Sequence, residues 1–229
     1  MGILASVMVF ASSQVKSQAA EASFDNSPEL FFHEEGFVTN GEEFLTVANT
    51  ASVEVLDSGV IYNTNITWTL YTDGRLILKG SGSISDDIKG YWNDYKERIT
   101  SIVVENGITA VGRAAFIDCS NVTSIHLGDT VADIGESAFS GCSKASDISL
   151  GKNTTTIREQ AFYGCSALKE IALPEGTLHI PWMAFANCTS LQKITLPSSL
   201  SMIWQSAFEN CTSLAQIDLP ENMNDIKYN

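Results

Sequence analysis

The chain has 229 residues, of which 44% are hydrophobic and 17% charged, so it can build a packed core in one large domain or two small ones, and wholesale disorder is excluded. A formal net charge of -14 argues against a nucleic-acid binder, which would present a basic face. It equally disfavours electrostatic docking on anionic membranes.

Residues 1–23 read as a targeting segment. "ILASVMVFA" (3–11) is a short apolar run, and "SQAAEA" (17–22) supplies the small residues that a signal peptidase accepts. The run is shorter than the roughly 20 apolar residues that a membrane-spanning helix needs. No Lys or Arg precedes it, so the expectation is an exported chain whose true start lies upstream. Residues 24–60 are acidic and irregular, with weak strand signals at "EFLTVA" and "SVEVLD". Residues 61–98 form the next segment. In it "WTLY" and "RLILKG" alternate as half-buried strands do, and "TDG" (72–74) between them is a tight-turn sequence, so a β-hairpin is predicted.

From residue 99 a repeat takes over. The five cysteines fall at 119, 142, 165, 188 and 211, always 23 apart and always behind Ala-Phe: "AFIDC", "AFSGC", "AFYGC", "AFANC", "AFENC". A catalytic or metal-binding thiol is a singular feature or part of a converging cluster, whereas a residue recurring at a fixed period belongs to a scaffold. The same period aligns Ile102, Ile125, Ile148, Ile171, Ile194 and Ile217. Two residues on come Val104, Leu127, Leu150, Leu173, Leu196 and Leu219. Seven further on stand Val111, Ile134, Ile157, Ile180, Ile203 and Ile226, and five beyond those sits each Phe: 116, 139, 162, 185 and 208. Five complete units span 99–213, and a partial sixth spans 214–229. It stops mid-unit without the atypical terminal repeat that solenoids usually carry, so the expectation is a fragment, the alternative being a minimal cap from Asn222, Asn224, Asp225 and Lys227.

Each unit has a local logic. The I-x-L pair is period-two and turns both aliphatics to one side of a short strand. Pro174, Pro197 and Pro220 follow the strand Leu and end the strand, because Pro offers no N–H to a ladder. The stretch "IGESAFSGC" reads as a compact helical or 3-10 turn, closed by Gly141, Gly164, Asn187 or Asn210 with positive φ in front of the Cys. No unit can bury its own aliphatics and Phe, so stability must come from stacking on neighbours. Stacked coils lie about 4.8 Å apart. An odd-numbered Cys column at that spacing reads as buried free thiols, with occasional pairing geometrically permitted.

The unit "LKEIALPEGTLHIPWMAFANCTS" (168–190) and its neighbours closely resemble the BspA-like leucine-rich repeat, whose consensus runs L-x-x-I-x-L-P-x-x-h-x-x-I-x-x-x-A-F-x-x-C. The resemblance covers residues 99–229. It implies a curved right-handed solenoid of the α/β leucine-rich repeat type. Short parallel strands would line one face and short helical or 3-10 turns the other. The segment 61–98 looks like the N-terminal module that precedes such repeats and would cover the open end of the first coil. Family members are typically secreted or surface-displayed, and several are adhesins.

Chemistry-bearing residues are sparse. His33, His126 and His179 have no Cys or carboxylate at a zinc or catalytic spacing and read as solvated surface side chains. No G-x-S-x-G, H-E-x-x-H, P-loop or dinucleotide fingerprint occurs. "KGSGSISD" (79–86) lacks the Lys-Ser/Thr ending of a phosphate loop and reads as a strand exit, and sequons such as those at Asn65 and Asn153 mostly coincide with repeat positions. No catalytic, cofactor or metal residue is therefore named. The candidate partner-binding face is two strand columns whose residues vary while the core columns hold. One is Ser101, Ser124, Asp147, Glu170, Lys193 and Gln216. The other is Val103, His126, Ser149, Ala172, Thr195 and Asp218. These columns lack the Tyr, Trp and Arg of a hot spot. Trp182 and Trp204 lie outside them, just after the repeat Ile; packing is their expected role, with an aromatic patch for ligand contact the alternative.

Periodicity establishes a scaffold with an extended face. The resemblance adds the expectation of a non-enzymatic, secreted or cell-surface protein that adheres to a protein or glycan on a host or neighbouring cell. The alternatives are a spacer or targeting module of a larger secreted enzyme, and a thiol-based redox or metal role.

Overall fold

The structure, a computed structural model, describes residues 52–86 and 91–221, together with residues 223, 225 and 226. The targeting segment 1–23 and the greater part of the acidic stretch 24–60 lie outside the described residues, as does His33.

The strands are β1 (Val55–Val60), β2 (Thr67–Tyr71), β3 (Arg75–Lys79), β4 (Gly82–Ser83), β5 (Ser101–Val104), β6 (Ile108–Val111), β7 (Ser124–Leu127) and β8 (Asp133–Ile134). They continue as β9 (Asp147–Ser149), β10 (Thr156–Ile157), β11 (Glu170–Ala172), β12 (His179–Ile180), β13 (Lys193–Thr195), β14 (Met202–Ile203) and β15 (Asp225–Ile226). The hairpin sequence forms as read: β2 and β3 pair antiparallel, Trp68 opposite Leu78 and Leu70 opposite Leu76. The "SVEVLD" signal becomes the start of β1, which lies antiparallel on β2 at the sheet edge. β3 then pairs in parallel with β5, so the hairpin leads straight into the repeat sheet.

Within the repeats each I-x-L strand stacks in parallel on its counterpart one unit later. Ile102 meets Ile125, which meets Ile148, and Ile171 meets Ile194. The inward residues are buried, as the alternation requires: Ile102, Ile125 and Leu127 all reach the core. β1, β2, β3, β5, β7 and β9 form one sheet and β11 and β13 a second, so the ladder is interrupted between β9 and β11. At this junction the residue after the strand Leu changes from glycine (Gly128, Gly151) to proline (Pro174, Pro197). Gly128 donates its N–H to Val104 O at 2.7 Å, a bond that neither Pro174 nor Pro197 has a proton to make, although β11 and β13 still pair.

The opposite side of the coils departs from the reading of helical or 3-10 turns. A second parallel ladder runs there through the later Ile column. In it Val111 pairs with Ile134 and Ile134 with Ile157, and after a break between β10 and β12 Ile180 pairs with Ile203 and Ile203 with Ile226. The only helical segment among the described residues is a 3-10 turn, Asn93–Tyr95, ahead of the repeats. The Ala-Phe-x-x-Cys segment is instead a run of overlapping turns. Ala138 N donates to Gly135 O, Ser140 N to Ser137 O and Cys142 N to Phe139 O, at 3.1–3.2 Å. The intervening N–H groups reach the next coil: Ser137 N to Glu159 O, Phe139 N to Ala161 O, Gly141 N to Tyr163 O.

That alternation requires the chain to reverse twice, and two residues per unit take left-handed φ. One precedes the Cys, as the sequence suggested: Gly141 (77°), Gly164 (71°), Asn187 (60°) and Asn210 (58°). The other precedes the Ala and is filled by Ala114, Ser137, Gln160, Met183 and Ser206 at 53–56°. Helix geometry is unavailable because every second peptide must point at the neighbouring coil rather than along its own.

The core is a column of rings. Phe116, Phe139, Phe162, Phe185 and Phe208 stack at centroid separations of 5.3–5.8 Å with interplanar angles of 7–11°. Trp92 extends the column at its start, 5.1 Å from Phe116, and its Nε1 donates to Ala115 O at 2.9 Å. An aromatic partner is thus supplied to the first repeat Phe, which is fully buried.

Candidate partner-binding face

Both candidate columns occupy the face of the strands that turns away from the core, because residues two apart share a face. Ser101, Ser124 and Asp147 are in register across β5, β7 and β9, and Val103, His126 and Ser149 run beside them. Glu170 and Lys193 continue the first column and Ala172 and Thr195 the second, on β11 and β13. Exposure rises along the face: the members before Asp147 are half-buried, and those from Asp147 to Asp218 are exposed. Gln216 and Asp218 lie beyond the strands and are tied to each other, Gln216 Nε2 donating to Asp218 Oδ1 at 2.7 Å.

The interrupted ladder shapes this face. A cleft of about 250 Å³ opens where β9 and β11 part, and Asp147, Glu170, Ala172, Lys193 and Thr195 line it. The structure thereby brings five of the candidate residues together and leaves Ser101, Val103 and Ser124 on the continuous part of the sheet. His126 sits at the cleft's approach, its Nε2 3.6 Å from Asp147 Oδ2. Glu170 and Lys193 face each other in register, yet neither is engaged in an ion pair among the described residues. The cleft thus carries both signs of charge. The strand pattern gave the columns, but the break between β9 and β11 was not legible in it.

The thiols face inward. All five cysteines are free and buried. Cys142, Cys165, Cys188 and Cys211 each direct Sγ at a Phe carbonyl of the preceding unit (Phe116, Phe139, Phe162 and Phe185), at 3.0–3.5 Å. The S–H groups thus act as weak donors to buried carbonyls. Burial pushes Cys119 and Cys165 up to about 12 and also raises Cys142, while the neighbouring Cys188 and Cys211 thiols shift apart, Cys188 raised by Cys211 and then by burial, and Cys211 lowered by Cys188. A reactive cysteine needs the opposite, an accessible thiolate. Among the described residues no group of three or more His, Cys, Asp or Glu side chains is placed to hold a metal ion. His126 is half-buried and His179 exposed, the latter with Nδ1 3.4 Å from Ser201 Oγ. Trp182 and Trp204 do not pack as expected: they are 36% and 45% exposed. No helix among the described residues is long and apolar enough to cross a membrane.

The repeats match the model of the BspA type leucine rich repeat region in six copies, over residues 87–188 and 144–229. A crystal structure of a leucine rich cell surface protein from Faecalibacterium prausnitzii A2-165 is similar, with 25% identity and a TM-score of 0.56. The match covers 75% of this chain and 50% of that one, so the chain spans about half the length of that protein. A leucine rich repeat protein from T. pallidum shows 22% identity and a TM-score of 0.47 over 74% of this chain and 86% of its own. No curated protein matches the chain. With the matched residues making up more than half its length, this chain belongs to the BspA-type leucine-rich repeat family.

Proposed function

We propose that the protein is a non-enzymatic, exported repeat protein that adheres to a protein or glycan on a host or neighbouring cell through its repeat sheet. The observation that carries this reading is the pair of outward columns, whose residues change from unit to unit while the buried Ile, Phe and Cys columns do not. Packing explains the constant columns and leaves the variable ones free to suit a partner. The cleft between β9 and β11 is the centre of that face in this reading, because it brings Glu170, Lys193 and Asp147 to one place. A cell-surface location follows the description of the F. prausnitzii protein. In this reading residues 61–98 cover the first coil and 99–229 form the recognition scaffold. The β3–β5 pairing and the Trp92–Phe116 stack support that division.

The test is a binding screen of the purified chain against matrix proteins, glycans and cell surfaces. A variant carrying His126→Ala, Glu170→Ala, Lys193→Ala and Thr195→Ala is screened beside it, with the fold of each verified by circular dichroism. Binding that disappears in the variant supports the sheet face. Binding retained at full strength moves recognition elsewhere. Absence of binding to every surface counts against adhesion and for a spacer within a larger secreted protein.

A further inference from the structure

A second cleft, of about 340 Å³, opens beside the later ladder, away from the sheet columns. Its walls include Glu136, Arg158, Glu159, His179, Trp182 and Trp204. The two tryptophans are the largest exposed aromatics of the repeats, and neither ring packs on another aromatic among the described residues. Their backbones are nevertheless fixed. Trp182 O accepts from Gln160 N at 3.1 Å, and Trp204 N donates to Ile180 O at 2.9 Å. Pro181 further restricts the chain ahead of Trp182. Two exposed indoles on hydrogen-bonded coils offer a ligand large aromatic surface, and Trp is among the residues that contribute most to interfaces.

Charge selects the ligand. Arg158 lines the cleft but is committed to Asp133 by two bonds, Nε to Oδ1 at 2.9 Å and Nη2 to Oδ2 at 2.6 Å. Glu136 lies 3.6 Å from Arg113. Glu159, one coil before Trp182, has no ion-pair partner among the described residues. The cleft and the groove adjoining it together carry four carboxylates (Asp86, Asp133, Glu136, Glu159) against two guanidinium groups (Arg113, Arg158), on a chain of net charge -14. An anion is repelled there. A cation gains twice, from the indole faces and from the Glu159 carboxylate.

We infer that the Trp182–Trp204 cleft is a second binding site, taking Arg or Lys side chains of a basic peptide segment. It stands apart from the sheet face and does not depend on that reading. A neutral saccharide also stacks on exposed indole, but it leaves the excess carboxylates without a counter-charge.

Tryptophan fluorescence of the full chain, titrated with hexa-arginine, hexa-glutamate and a neutral N-acetylglucosamine hexamer, tests the assignment. Trp68 and Trp92 are buried, so quenching by a ligand reports Trp182 and Trp204. The expected result is saturable quenching by hexa-arginine alone. Trp204→Ala or Glu159→Gln should weaken it about three- to tenfold, and Glu54→Gln should leave it unchanged. The near-isosteric Glu159→Gln keeps the test decisive if Trp204→Ala perturbs folding. Equal affinity for hexa-arginine in wild type and Glu159→Gln would reduce the effect to general attraction by an acidic surface and overturn the site. Quenching by the sugar without the peptide would reassign the cleft to saccharides, and no quenching by any probe would also overturn the proposal.

Discussion

Phe162→Ala removes the central ring of the stacked column. Phe162 is fully buried and lies between Phe139 at 5.6 Å and Phe185 at 5.3 Å. Truncating a buried Phe costs about 3–5 kcal/mol. Two ring contacts, each worth about 0.5–1.5 kcal/mol beyond area, are lost together and place this site near the top of that range. Phe208 is only half-buried and stacks on a single ring, Phe185, at 5.8 Å, so Phe208→Ala should cost about half as much. Urea unfolding of the full chain and both variants, followed by far-ultraviolet circular dichroism, gives the two losses. A Phe162→Ala loss under about 1 kcal/mol, or one no larger than that of Phe208→Ala, refutes the view that inter-coil stacking holds the fold.

The thiols should be inert in the native chain and fully reactive with a disulfide reagent once it is denatured; rapid native labelling at pH 7 would contradict their burial. Cys119 and Cys165 are raised from the usual 9.0 to about 12, so the unfolded chain releases their protons first. The stability they lend is therefore complete below pH 9 and lost as pH rises from 9 towards 12, and urea midpoints at pH 7 and above pH 9 measure the decline. Gly164→Ala keeps a left-handed residue at φ 71° with no Cβ neighbour nearer than 3.9 Å, and should cost about 1–2 kcal/mol in thermal unfolding. Gly141→Ala should cost more, because its Cβ meets the Asp118 carboxylate oxygen as well; equal costs would rule that contact out.

Much of the fold was legible because identical residues recur at one spacing. The Ile-x-Leu pairs, the Phe column and the Cys column could be read as inward-facing without knowing the path between them. The second ladder was hidden, since strands of two residues such as Thr156–Ile157 are too short to show alternation. The left-handed position filled by Ala114, Ser137, Gln160, Met183 and Ser206 was also missed, because it carries no Gly or Asn to announce it. Its one retrospective signal is the absence of any β-branched residue. Trp92 extends the ring column from outside the repeat, where periodicity says nothing. Of the candidate face, the columns were readable, whereas the cleft depends on two neighbouring coils parting between β9 and β11, which neither coil encodes alone.

Site-specific photo-crosslinking tests the central claim most directly. A photoreactive phenylalanine replaces Ala172 in the cleft wall, or Thr195 beside it, with exposed Tyr62 as the control position. The account predicts that the captured partner becomes covalently joined from Ala172 and Thr195 and not from Tyr62. A partner that binds normally but crosslinks only from Tyr62, or from a probe at Trp182, would contradict recognition by the repeat sheet.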